Sequence, residues 1–140
     1  MWLFEKSEEN MLLQEYSKNP VKNFKMEVFT VKYHEGNFIC GDDITIFLLI
    51  KDNIIKDYSY IGNTSTVSLA AAWFLSEFVI WAKIEDILIW DYDFISGKWL
   101  SVSKKRKRAA VLALLAVRNA IHEYLNDSKV DDFDDLIEDV

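Results

Sequence analysis

A single cysteine, Cys40, occurs in the 140 residues, alongside one proline, four glycines and two histidines. One thiol excludes an intrachain disulfide and any zinc site built from several thiolates of one chain. So few glycines argue against a nucleotide cradle, and the sequence shows no glycine-rich phosphate loop, HExxH-type helix or serine–histidine–acid pattern in a recognisable context. Nothing in it points to an enzyme. Long apolar runs are lacking too. The longest, Val67 to Ile84, is interrupted by Ser68, Ser76, Glu77 and Lys83 and is too short to span a bilayer. The opening MWLFEKSEEN turns acidic after a few residues and carries no signal-peptide core or cleavage site. A soluble, cytoplasmic protein with no membrane partner is expected.

What the chain does have is apolar and acidic material. Half of it is hydrophobic and 14% is aromatic, enough for one packed core. The formal net charge is −7, which disfavours nucleic acid as a partner, because phosphate contacts dominate that affinity. The exception is the run Lys104-Lys105-Arg106-Lys107-Arg108.

Hydrophobic periodicity divides the chain into segments. Ser7 to Lys18 predicts a short helix, capped by Ser7 and ended by Asn19-Pro20. Glu27 to Tyr33 alternates as a strand, Ile44 to Ile50 is a second strand, and Ile54 to Ile61 is a third. Lys51-Asp52-Asn53 supplies the turn between the last two. His34 to Asp43 is expected to be a loop. Thr66 to Trp81 predicts a helix packed on most of its surface, with Trp73, Phe74, Phe78 and Trp81 in a core or a dimer contact. Ile84 to Trp90 predicts a short helix, Asp91 to Lys98 an irregular stretch, and Ser103 caps a last helix reaching Leu125. The expected architecture is α+β, a three-stranded antiparallel sheet packed against helices. A single domain is expected over residues 1–127, followed by an acidic C-terminal tail at 128–140.

Three features together resemble the scaffold proteins of iron–sulfur cluster assembly, the IscU/NifU N-terminal type. They are Tyr16 followed by Asn19-Pro20, Cys40-Gly41-Asp42 leading directly into a hairpin, and the downstream order of small-residue loop, alanine-rich helix and final helix closing in Ala120-Ile121-His122-Glu123-Tyr124. The likeness covers roughly residues 10–125. It implies that Cys40 receives sulfur or binds metal, that Asp42 tunes ligand exchange, and that the partner is a cysteine desulfurase or another iron–sulfur assembly protein. The departures are specific. Ser65 stands where the family has its second cysteine, Ala109 where it has its third, and Arg108 where a histidine often precedes that third cysteine. The chaperone motif of part of the family is replaced by Leu100 to Lys104, LSVSK.

A [2Fe–2S] cluster takes four ligands, mostly thiolates. One chain offers Cys40 alone, with Asp42 and His34 as the nearest helpers for iron, a cluster or zinc, so a complete site would need a homodimer that brings two Cys40 side chains together. Two alternatives stand beside the scaffold function. One is a cluster-free protein–protein interaction module on the same fold, which needs no cofactor. In that reading Gly41 supplies a turn and Asp42 bonds its backbone. The other is weak nucleic-acid binding through residues 104–108. For that basic run, docking of an acidic partner, neutralisation by the acids of residues 131–139 and a solvated face all remain open. His122 reads as a helix-end cation favoured by the dipole.

Overall fold

The computed structural model describes residues 21–37, 41–98 and 101–138. The helix expected over Ser7–Lys18, the Asn19-Pro20 stop, and Cys40, Trp2 and Trp99 lie outside the described residues.

Three antiparallel strands follow one another as β1 (Val31–Asn37), β2 (Asp42–Lys51) and β3 (Ile54–Ile61), in the order β1-β2-β3. The turn between β2 and β3 places Asp52 and Asn53 at φ of 56° and 59°. Two successive left-handed residues make the turn whose twist matches that of paired strands, and Asp and Asn tolerate this conformation. Alternation then fixes the faces. Ile44, Ile46 and Leu48 point to one side, in register with Tyr60 opposite Ile46 and Tyr58 opposite Leu48. All five are buried. A bulge between Leu49 and Ile50 brings Ile50 opposite Ile55 on the same side.

The helices are α1 (Thr66–Val79), α2 (Ile84–Ile87), α3 (Tyr92–Lys98), α4 (Lys107–Leu125) and α5 (Phe133–Leu136), with a 3₁₀ turn at Lys104–Arg106 before α4. α4 is the central one. It packs on β1, β2 and α1 together, and every residue from Ala109 to Val117 is buried. Alanines at 109, 110, 113, 116 and 120 keep it thin enough to be approached from several sides. The Tyr58 hydroxyl crosses from sheet to helix and donates to the Ala72 carbonyl at 2.8 Å. The opposite sheet face is covered by residues 21–30. There Phe29 meets Phe47 edge-on at 5.3 Å, Met26 is buried, and Lys22 pairs with Asp57 at 3.1 Å.

The α+β class and the three-stranded sheet are as expected, but several local expectations are corrected. The first strand runs Val31–Asn37 rather than 27–33, because pairing with β2 continues to Asn37 opposite Asp42 while Val28 stays exposed. His34 is consequently in a strand and not in a loop. Residues 92–98 are helical, not irregular. The Asp91 carboxylate accepts the Phe94 N–H at 3.1 Å, and Tyr92 and Ile95 are buried. α1 stops at Val79, so Trp81 is not on its apolar face. It lies at φ 75°, 69% exposed, with Lys56 Nζ 4.8 Å from its ring centroid. Trp90, beyond the end of α2, stacks on Phe94 at 4.2 Å. Ser103 precedes the 3₁₀ turn and makes no side-chain cap bond. No helix among the described residues is long and apolar enough to cross a membrane.

Burial pushes the Tyr58 hydroxyl well above its ordinary pKa, and Tyr60 in the same way. Both are neutral in the folded chain at a pH where the unfolded chain ionises them, so stability falls as pH rises past about 10. Tyr58→Phe is expected to lower stability at pH 7 by about 1–2 kcal/mol through loss of the bond to Ala72. It should also make the alkaline loss shallower. Urea unfolding at several pH values checks both.

Candidate functional site

Alternation along β2 carries the helix-facing row Leu48, Ile46, Ile44 one step further to Asp42, at the strand's beginning. A carboxylate placed there is buried beside the start of α1, where it must find donors. Two glycines make the approach fit. Gly41 at φ 75° closes the connection from β1, its N–H donating to the Asn37 carbonyl at 2.9 Å. Gly62 passes so near β2 that a Cβ on it would lie 2.3 Å from the Asp43 carbonyl oxygen. That contact brings Asn63 to Asp43, whose N–H donates to the Asn63 carbonyl at 2.9 Å, and delivers Ser65 to Asp42.

Three donors converge on the carboxylate. The Ser65 N–H donates to Oδ1 at 2.9 Å, the Ser65 hydroxyl to Oδ2 at 3.0 Å, and the Ser68 hydroxyl to Oδ2 at 2.5 Å. Ser65 is also the N-cap of α1, accepting the Ser68 N–H at 3.3 Å. The negative charge therefore sits at the positive end of a 14-residue helix, with both oxygens occupied. Ser68 is fully buried and was not singled out from the sequence, although Ser65-x-x-Ser68 at a helix start carries the capping signal.

The other sequence candidates fall elsewhere. His34 pairs with Thr45 across β1 and β2, on the sheet face opposite Asp42. Its Nε2 lies 3.4 Å from Asp43 Oδ1, and the ring is largely exposed. Asp42 and His34 are thus not brought together, and among the described residues no group of three or more His, Cys, Asp or Glu is placed to hold a metal ion. Ala109 is buried in the first turn of α4.

The basic run divides. Lys104 and Lys105 are exposed on the 3₁₀ turn. Lys107 Nζ lies 4.8 Å from the centroid of Tyr92, and the Arg108 guanidinium lies 4.8 Å from that of Phe133. Aromatic faces thus receive two of the cations whose position at a helix start opposes the dipole.

A second polar cluster, at the other end of α4, was largely missed. His122 lies in the last turn of α4, as expected, and is buried there. Its Nδ1 lies 2.8 Å from Asp127 and its Nε2 3.0 Å from Asp131. Asp131 also accepts Arg118 Nε–H at 2.9 Å, and its N–H donates to Asn119 Oδ1 at 2.7 Å. Asn119 Nδ2 reaches back to Glu35 on β1 at 3.2 Å. Burial raises the Glu35 pKa, against the Asn119 bond and the charge of His34, while the His122 bond lowers that of Asp127. The acids that build this cluster come from residues 127 and 131, beyond the helix, so helix periodicity carries no sign of them.

Residues 8–131 match the family model for the NifU-like N terminal domain. The iron-sulfur cluster assembly scaffold protein IscU of Thermotoga maritima is 30% identical over 73 residues, 52% of this chain and 51% of that protein. The match therefore spans about half the length of that relative. IscU 1 of Archaeoglobus fulgidus is 28% identical over 102 residues, 72% of this chain and 67% of that protein. A crystal structure of a nitrogen-fixing NifU-like protein (N-terminal) from Brucella abortus superposes with a TM-score of 0.70 at 14% identity, covering 86% of this chain and 96% of that one. At that identity the likeness speaks for the fold alone.

Removing the Asp42 carboxylate takes away the acceptor shared by the Ser65 N–H, the Ser65 hydroxyl and the buried Ser68 hydroxyl. Asp42→Ala is expected to cost about 2–4 kcal/mol, with Asp42→Asn costing less because its amide oxygen still accepts. Urea titration by circular dichroism measures this; an unchanged midpoint for Asp42→Ala would mean that the clamp does not hold the fold.

Proposed function

Because the chain belongs to the NifU-like N-terminal domain family, we propose that it serves iron–sulfur cluster assembly as a scaffold-fold protein that does not complete a [2Fe–2S] cluster within one chain. The observation that carries this reading is the state of Asp42. Both its oxygens are taken up by Ser65 and Ser68, so the side chain is spent on holding β2 to α1. Ser65, the counterpart of the family's second cysteine by resemblance, is a donor in that clamp. It offers a hydroxyl where iron prefers a thiolate. Ala109, the counterpart of the third, has no donor atom at all. The cargo would therefore meet one thiolate, Cys40, and no second soft ligand from the same chain.

With this donor set the protein's part in assembly is to engage other assembly proteins. A cysteine desulfurase is the expected partner, with Cys40 as the residue that meets sulfur or metal. The role is binding and transfer rather than turnover of a substrate. Keeping the fold without the ligand set is also what a purely protein-binding member would require, and the metal content separates the two.

Protein purified and reconstituted anaerobically with ferrous iron and sulfide is expected to hold well under one [2Fe–2S] cluster per chain, and Cys40→Ser should abolish whatever it retains. Iron, acid-labile sulfide and the visible spectrum measure this. Two irons and two sulfides per chain would refute the reading. No metal at all, with or without Cys40, would leave the fold as a protein-binding module.

A further inference from the structure

We propose that the end of the sheet where β3 begins, against residues 81–84, is the face through which two copies of this chain associate. Residues 81–84 pair with the start of β3. The Ile55 N–H donates to the Ala82 carbonyl at 2.9 Å, and the Ile84 N–H donates to the Asn53 carbonyl at 3.0 Å. Register then sets a row across three neighbours, with Lys51 opposite Ile54 and Ile54 opposite Lys83. Directly opposed residues share a face. Ile55 is buried toward the helices, so the row points the other way. Lys51 and Lys83 are exposed in it and Ile54 is half-buried.

Beside this row stands Trp81, with the Lys56 ammonium 4.8 Å from its ring centroid. Its φ of 75° is one that a bulky L-residue rarely adopts. Bonds on both sides hold it there. The Trp81 N–H donates to the Ile55 carbonyl at 2.7 Å, and the Ala82 N–H donates to the Val79 carbonyl at 3.0 Å. Glycine would meet the same bonds without strain. The indole is nevertheless exposed, so burial within one chain does not offset the strained backbone. A rigidly held, exposed tryptophan is the kind of side chain that dominates protein interfaces.

Charge decides the partner. Lys51, Lys56 and Lys83 stand beside Asp52 in the turn and Glu85 and Asp86 in the first turn of α2. The two signs are equal in number here, and none of these side chains makes an ion pair among the described residues. A strongly acidic or strongly basic partner would meet like charge on half of this face. A second copy turned about a two-fold axis instead sets the lysines of one against the acids of the other, as an isologous contact requires. The net charge of −7 is carried elsewhere on the chain and does not oppose contact at this end. Asp42 lies at the opposite end of β2, about 30 Å of strand away. Association through this face therefore keeps the Asp42 ends of the two copies apart.

The test is sedimentation equilibrium of the full chain under reducing conditions. Wild type is expected to be a dimer at about 100 μM, weakened by salt. Trp81→Gly relieves the backbone and removes the indole. It should leave the urea midpoint no lower than that of wild type while weakening association about tenfold or more. Lys51→Glu with Lys83→Glu, and separately Glu85→Lys with Asp86→Lys, should each weaken self-association about tenfold or more. Mixed in equal amounts, these two variants should form a heterodimer about as tight as wild type, because every reversed charge then meets its opposite. A folded Trp81→Gly chain that dimerises as well as wild type would overturn the proposal. So would a mixture that restores nothing. A wild type that stays monomeric at about 100 μM would assign the face to some other partner, again overturning it.

Discussion

The bond set on Asp42 joins the first residue of the central strand to the first turn of the helix that covers it, and much of the site's geometry follows from it. Alternation along β2 obliges the side chain at position 42 to face the helices. A carboxylate facing a core is tolerable only if its charge is answered, and α1 answers it three times, with one backbone N–H and two serine hydroxyls. Bonds to a charged acceptor contribute about 1.5–3 kcal/mol each, against about 0.3–1 kcal/mol for the helix dipole. The hydroxyls and the N–H therefore decide the arrangement, and the dipole only reinforces it. Gly41 and Gly62 are the backbone conditions for it, one by a left-handed turn and one by the absence of a Cβ.

A similar economy governs the far end of α4. Asp131 gathers Arg118, Asn119 and His122, and Asn119 extends the cluster to Glu35 on β1. The helix is thereby tied to the edge strand through polar contacts where its apolar face runs out. At its start, where five cations stand in a row without a first-turn acid, Tyr92 and Phe133 take two of them on their ring faces. The two ends of α4 thus solve opposite electrostatic problems by different means, carboxylates for the buried histidine and aromatic rings for the lysine and arginine.

Sequence patterns carried the hairpin, because Asp52-Asn53 has few alternatives to a tight turn, and they carried α1 and α4, whose apolar spacing is long enough to be unambiguous. They also carried the resemblance, since Cys40-Gly41-Asp42 sits directly before the hairpin. Short elements were less legible. β1 reaches Asn37 only because β2 is there to pair with it, and neither His34 nor Gly36 reads as a strand residue alone. The helix at 92–98 starts where Asp91 accepts the Phe94 N–H, and its seven residues are too few to carry a clear helical period. Trp81 shows how two residues of overreach at a helix end change an interior side chain into an exposed one. The partners of Asp42 and His122 lie 23 residues or more away in one case and past the helix terminus in the other. Local periodicity contains neither, so their roles emerged only from the fold.

The proposed function requires that Asp42 hold β2 to α1 and not serve as a ligand for cargo. The most direct measurement follows the carboxyl carbon of Asp42 by nuclear magnetic resonance as zinc is added to the full chain under reducing conditions. The account predicts that this resonance stays in place while any response is confined to the side chain of Cys40. An Asp42 carboxyl signal that moves in step with zinc would show the clamp opening to admit metal, and would contradict the account.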